Sequence, residues 1–278
     1  MKTLIIFLVT IVVAQAEIDW SKVTANHVGP GLKNDVASQS RSGTLKIVGG
    51  DESVPHSRPY QVGILITMEN GVSFCGGSLI GLRTVLTAAH CVHNITGGLE
   101  VILGAHFINS RTEKTQVRYN TSDVRIHPNW DLDRLQNDVA LVYLPENVTL
   151  NENIQLVELP EVGSNALYTG EEAIVTGWGK DSDDIDSLSP VLREVTIPVI
   201  DNEPCNTRYL GAIVDSHLCA DGISGKSSCA GDTGGPLVFD GVQIGIVSFE
   251  IILGCEVGWP SVYARVTYYN DWIRQYLK

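Results

Sequence analysis

The chain has 278 residues, of which 44% are apolar and 18% charged, room for one large domain or two small ones and too apolar for wholesale disorder. Its 19 Lys and Arg against 32 Asp and Glu give a net charge of −13. That balance excludes the basic footprint a nucleic-acid binder needs to displace counterions, and it disfavours an anionic membrane surface for the same reason.

The first element is a short apolar run, Leu4 to Ala14, behind Lys2 and followed by Ala14-Gln15-Ala16. This pattern predicts a secretory signal over residues 1–16, too short to span a bilayer. The expected product is a soluble, exported protein. Residues 17–46 are polar, contain Ser, Asn and Gly, and show no sustained apolar period, so a boundary falls near Lys46. Five Lys or Arg and three Asp or Glu lie in the first 46 residues. The leader is slightly basic and the body, residues 47–278, strongly acidic.

Within the body, the runs Gly63-Ile64-Leu65-Ile66, Val101-Ile102-Leu103, Val139-Ala140-Leu141-Val142, Ala173-Ile174-Val175 and Gln243-Ile244-Gly245-Ile246-Val247 are β-rich and too short for helices. Turn residues recur between them. Only the tail from Tyr268 to Leu277 has helical spacing, with Trp272, Ile273, Tyr276 and Leu277 able to share one face. Many short strands and one terminal helix predict an all-β barrel or sandwich.

Six cysteines, Cys75, Cys91, Cys205, Cys219, Cys229 and Cys255, form an even set in a chain expected to meet an oxidising environment, and disulfides are their expected use. Zinc is the alternative, but no Cys-x-x-Cys or His-x-x-x-His pair occurs. Sequons at Asn94, Asn120 and Asn147 suit the same compartment.

Four strings carry chemistry: Ile47-Val48-Gly49-Gly50, Thr87-Ala88-Ala89-His90-Cys91, Asn137-Asp138-Val139-Ala140-Leu141 and Gly231-Asp232-Thr233-Gly234-Gly235-Pro236. Taken together, in this order and spacing over residues 47–278, they resemble the chymotrypsin-like serine protease family. The resemblance implies two packed antiparallel six-stranded β-barrels with a C-terminal α-helix, the active-site groups meeting in the cleft between them. It implies His90 as general base, Asp138 as the carboxylate that fixes its tautomer, and Ser248 as a hydrogen-bonding support for that carboxylate. The backbone N–H groups of Gly231 and Thr233 would form the oxyanion hole.

The chain departs from the family at the nucleophile, where Thr233 replaces serine. Threonine keeps the hydroxyl but adds a γ-methyl and restricts χ1. In the specificity pocket, the resemblance places Ser227 at a neutral base and Glu250 and Ser261 at wall positions that glycine usually holds. Glu250 is expected to block entry unless it turns outward as a solvated acid; an open pocket would favour an apolar or aromatic side chain. The strings Ser248-Phe249, Gly254-Cys255-Glu256 and Gly258-Trp259-Pro260 are most similar to the brachyurin group.

The resemblance also implies cleavage after Lys46 by a trypsin-like protease, with the new Ile47 ammonium pairing with Asp232, and disulfides 75–91, 205–219 and 229–255. The expected partners are a protein or peptide substrate, or protease inhibitors and other protein ligands if cleavage is lost. The expected oligomeric state is a monomer, and the chemistry calls for no cofactor and no metal.

Overall fold

The computed structural model describes residues 18–25, 50–222, 225–251 and 253–278. The expected signal at 1–16 and the Lys46–Ile47 bond lie outside the described residues. Fifteen strands run in chain order: β1 Val23–Ala25, β2 Asp51–Glu52, β3 Gln61–Met68, β4 Gly71–Gly81, β5 Thr84–Thr87, β6 Leu99–Leu103, β7 Val117–Thr121, β8 Val124–Ile126, β9 Ala140–Tyr143, β10 Glu172–Gly177, β11 Arg193–Ile200, β12 His217–Ala220, β13 Pro236–Phe239, β14 Val242–Phe249 and β15 Ser261–Arg265. Three helices accompany them, α1 Ala89–Val92, α2 Asn202–Arg208 and α3 Val266–Gln275.

The strands form two sheets. The first has the order β7-β6-β3-β4-β5-β9-β8, with β1 added on β4; the second has the order β10-β13-β14-β15-β12-β11-β2, and a β10–β11 pairing closes it. This is the mostly-β chymotrypsin fold with two barrel-like sheets and a C-terminal helix. The first sheet carries eight strands, seven from the body and β1 from the leader, whose pairing is parallel; the second carries seven, six of them extended by two-residue β2.

Turn chemistry explains the hairpins. Phe239 pairs with Val242 across Asp240-Gly241, and both loop residues have positive φ, 47° and 79°. This is the two-residue geometry whose twist matches the flanking strands, and glycine adopts it without a Cβ penalty. The β3–β4 hairpin likewise closes from Met68 to Gly71.

Each sheet has its own core. Ile64, Leu79, Leu86, Val101 and Leu141 fill the first, and α3 packs on it through Val266, Tyr269 and Ile273. Val175, Ile197, Leu218, Ile244 and Tyr263 fill the second. Burying a side chain of this size stabilises the fold by about 1.5–3 kcal/mol. The helical tail begins at Val266, two residues before the expected start, and ends at Gln275. Leu277 therefore lies beyond the helix and is 39% exposed, while Ile273 is buried and Trp272 and Tyr276 pack partly against the core.

A third cluster contains Phe74 and Trp178. Their rings meet edge to face at 6.3 Å, and both are fully buried. Phe74 belongs to β4 of the first sheet, and Trp178 directly follows β10 of the second. The contact thus positions one barrel against the other beside the cleft.

Candidate active site

His90 sits in α1, the short turn of helix that ends the β5 connection, and Asp138 lies just before β9. Strands β5 and β9 pair from Thr84↔Tyr143 to Thr87↔Ala140, so the residues beyond the strand ends come together. The His90 backbone N–H donates to Asp138 Oδ1 at 2.9 Å, and His90 Nδ1 lies 2.8 Å from Asp138 Oδ2. An ionised carboxylate only accepts, so Nδ1 carries the proton and Nε2 is left basic. Ser248 Oγ donates to Asp138 Oδ2 at 2.6 Å. A register shift between Val247 and Phe249 in the β14–β15 pairing leaves Ser248 without a cross-strand partner and turns its hydroxyl toward the carboxylate. Burial pushes the Asp138 carboxyl up, but the charge of His90 and the hydrogen bonds from His90 and Ser248 outweigh it and hold the group below the usual range.

Thr233 stands in the turn before β13 and is fully buried. Its carbonyl accepts from Gly76 N at 2.7 Å, which ties the turn to β4. Its Oγ1 lies 3.6 Å from Cys75 Sγ, while His90 Nε2 lies 3.8 Å from Cys91 Sγ. The hydroxyl and the imidazole thus flank one disulfide, Cys75–Cys91. Gly231 has φ +100°, and a Cβ there would come within 2.5 Å of Leu188 Cδ2. Only glycine holds that turn without strain.

Asp232 is buried and accepts from Gly179 N at 2.7 Å and Cys229 N at 2.9 Å. Among the described residues it has no cationic partner. Burial pushes its carboxyl up to about 6 against the opposing pull of those two backbone bonds.

The residues expected at the specificity pocket come together behind this turn. Ser227 Oγ lies 2.8 Å from the carbonyls of Ser228 and Cys255, so it satisfies its own proton within the wall. Ser261 Oγ is 3.1 Å from the Tyr263 hydroxyl. Glu250 is 3% exposed: it turns inward, accepts from Ser228 Oγ and lies near Cys255 Sγ. Burial pushes its carboxyl up to about 8; the Ser228 bond pulls it down, and Asp232 and Asp183 push it up further. Glu250 thus does not take the alternative of an outward, solvated acid, because the Ser228 hydroxyl offers the carboxyl a partner inside.

Disulfides join Cys75–Cys91, Cys205–Cys219 and Cys229–Cys255. Among the described residues, two groups each bring together three side chains of metal-ligating type, Cys75/His90/Cys91 and Asp183/Cys229/Cys255. Each contains a disulfide, whose sulfurs have no thiolate to offer, so neither donor set suits a metal.

The profile of the Trypsin family matches residues 47–273. The chain belongs to the trypsin family of serine proteases. Among its relatives, brachyurin of Leptuca pugilator is 42% identical over 228 residues, which are 82% of this chain and 97% of the relative. Chymotrypsin of Phaedon cochleariae is 38% identical over 234 residues, 83% of this chain and 82% of the relative. The solved structure of HL collagenase matches with a TM-score of 0.74 at 38% identity, covering 82% of this chain and 97% of that one.

Within this trypsin-family frame, two residues beside the site carry no motif that marks them. Ser228, the partner of Glu250, is adjacent to Ser227 and carries no motif of its own. Asp183 clamps the Cys255 loop by accepting from Cys255 N at 2.8 Å and Glu256 N at 3.1 Å, and nothing local in Asp181-Ser182-Asp183-Asp184 marks that role. Asn94, Asn120 and Asn147 are exposed, as sequon residues must be to accept a glycan. No described helix is long and apolar enough to cross a membrane.

Proposed function

We propose that this trypsin-family chain is an exported zymogen whose peptidase domain, residues 47–278, keeps the proton relay of a serine endopeptidase but hydrolyses peptides slowly because Thr233 replaces the nucleophilic serine. The observation that carries this reading is the bond sequence Ser248–Asp138–His90, with distances of 2.6 and 2.8 Å, beside a hydroxyl that has acquired a methyl group.

In the reaction so proposed, Thr233 Oγ1 forms a bond to the scissile carbonyl carbon and its proton passes to His90 Nε2. Asp138 stabilises the imidazolium, and the N–H groups of Gly231 and Thr233 receive the oxyanion. His90 then protonates the leaving amine as the carbon–nitrogen bond breaks, and water resolves the ester by the same route. The transfer needs the Thr233 hydroxyl aligned on Nε2, and its β-branch restricts the χ1 settings that allow this. A misplacement of about 1 Å costs roughly 10²-fold.

Activation follows the same logic. Residues 17–46 act as a propeptide removed after Lys46 by a trypsin-like protease, and the Ile47 ammonium supplies the cation that the buried Asp232 carboxylate needs. Protein or peptide substrates enter a monomer that needs no cofactor. Three disulfides and three exposed sequons support export, with residues 1–16 as the signal.

A second reading, a non-catalytic homologue that binds a protein ligand as a decoy for inhibitors or a cascade cofactor, is favoured by one observation. The inward Glu250 carboxyl on Ser228 occupies the wall where glycine would leave room for a substrate side chain. Fluorophosphonate titration of protein processed at Lys46, with mass spectrometry of the peptide that contains Thr233 and a panel of apolar peptide substrates, separates the two. Labelling with turnover supports the peptidase. No labelling in the parent, with labelling recovered in Thr233→Ser, supports the binding protein.

A further inference from the structure

Strand β4 runs from Gly71 to Gly81, and β3 pairs with Gly71 to Ser78 on one side. On the other side, β5 covers only Ser78 to Gly81. The edge at Val72–Phe74 would therefore expose backbone donors and acceptors beside a buried aromatic ring, a template for strand addition. That edge is filled by the chain's own leader. Strand β1 pairs in parallel with it, in the register Val23↔Val72, Thr24↔Ser73 and Ala25↔Phe74.

Side chains secure the same register. Val23 is 5% exposed and points into the cluster of Phe74, Trp178 and Leu192, and Ile18 and Trp20 pack against it. The Trp20 ring lies 6.4 Å from that of Phe74. Ser73 Oγ donates to the Thr24 carbonyl, and Thr24 Oγ1 to the Val72 carbonyl, each at 3.3 Å. Asp19 caps the turn Trp20–Lys22 by accepting from Ser21 N. At the far end, the Ala25 Cβ lies 3.5 Å from where a Cβ on Gly231 would stand. Residues Ser21 to Ala25 wall a cavity of about 510 Å³ opposite Ala230, Ile251 and Cys255.

We propose that the Val72–Phe74 edge is a docking groove for residues 18–25 of this same chain, which bind non-covalently as a short strand and stand over the Gly231 turn. No cysteine lies in residues 17–46, so docking rests on strand pairing, on the Thr24 and Ser73 hydrogen bonds and on the packing of Ile18, Trp20 and Val23. A leader cut at Lys46 then stays as a separable ligand across one side of the cleft, a consequence that rests on the activation reading above.

The test has two arms. In the uncut full chain, hydrogen exchange of the peptide covering residues 18–25 is expected to be slowed at least about 10-fold relative to the Trp20→Ala/Val23→Asp double variant, a modest protection for a surface strand. Exchange of the parent leader at the variant's rate overturns the proposal. In chain cut at Lys46 and separated from its leader, a fluorescently labelled synthetic peptide of residues 17–46 is expected to bind saturably, and the same peptide with both substitutions at least about 10-fold more weakly. No binding, or equal binding of both peptides, overturns it. Failure of the chain to be cut at Lys46 sinks the activation reading and leaves the exchange arm to decide the docking.

Discussion

Glu250 and Ser228 are hydrogen-bonded in the interior, across 22 residues of sequence. Their contact holds the acid as a buried group, flanked by Asp232, Asp183, Tyr209, Tyr263 and the Cys255 sulfur.

A buried carboxyl whose value rises on folding binds its proton more tightly in the native state, so stability falls as pH rises between the unfolded and folded values. For Glu250 that window runs from 4.5 to about 8, and for Asp232 from 3.8 to about 6. Uncut protein is expected to lose thermal stability steadily from pH 5 to 8. Glu250→Gln should abolish the slope above pH 6 and keep part of it below. Melting temperatures of both proteins across that range check this, and an unchanged slope above pH 6 refutes the buried acid.

Asp138 behaves in the opposite sense. Its lowered value contributes stability that is present above 3.8 and is lost as pH falls through the folded value. Asp138→Asn keeps an oxygen for the His90 N–H but presents an amide donor to Nδ1, which forces the proton to Nε2. In a Thr233→Ser protein processed at Lys46, the substitution is expected to lower kcat about 10⁴-fold. Steady-state kinetics on a peptide ester measure it.

Thr233→Ser alone is expected to raise fluorophosphonate labelling at residue 233 by about 10²-fold or more, since it removes the methyl and frees χ1. If labelling stays silent, opening the pocket with Glu250→Gly in the same protein is expected to restore it. Labelling rates of the two proteins show whether the nucleophile or the wall is limiting.

Cys229–Cys255 closes a separation of 26 residues and joins the Thr233 turn to the loop held by Asp183. Replacing both cysteines with serine is expected to cost about 3 kcal/mol. Denaturant unfolding measures the loss. Released from that loop, Glu250 is also expected to become solvent-accessible, which lowers its carboxyl toward the ordinary range and flattens the pH slope described above.

Much of this architecture was legible from local strings. The alternation of short apolar runs and turn residues marked β3, β6, β9, β10 and β14, and the two-barrel arrangement came from the order of four motifs rather than from any periodicity. Other features depend on distant partners. Val23–Ala25 is a three-residue strand with no readable period, and its burial exists only because β5 stops short along β4. The inward turn of Glu250 is decided by a serine hydroxyl 22 positions earlier. Helix α3 starts early because Val266 and Tyr269 meet the first core, a contact that spacing within the tail does not reveal. Leu277 shares no buried face because the helix ends before it.

Asp138 belongs to the first barrel and Ser248 to the second, so their 2.6 Å bond spans the seam between the two lobes. A carboxylate sealed from water depends on that hydroxyl for part of its solvation, and a slide of one lobe over the other would strand it. The carboxylate that orients the imidazole is therefore also a tie between the halves. Any distant change that opens the seam withdraws the Ser248 hydroxyl and leaves Asp138 the two His90 bonds.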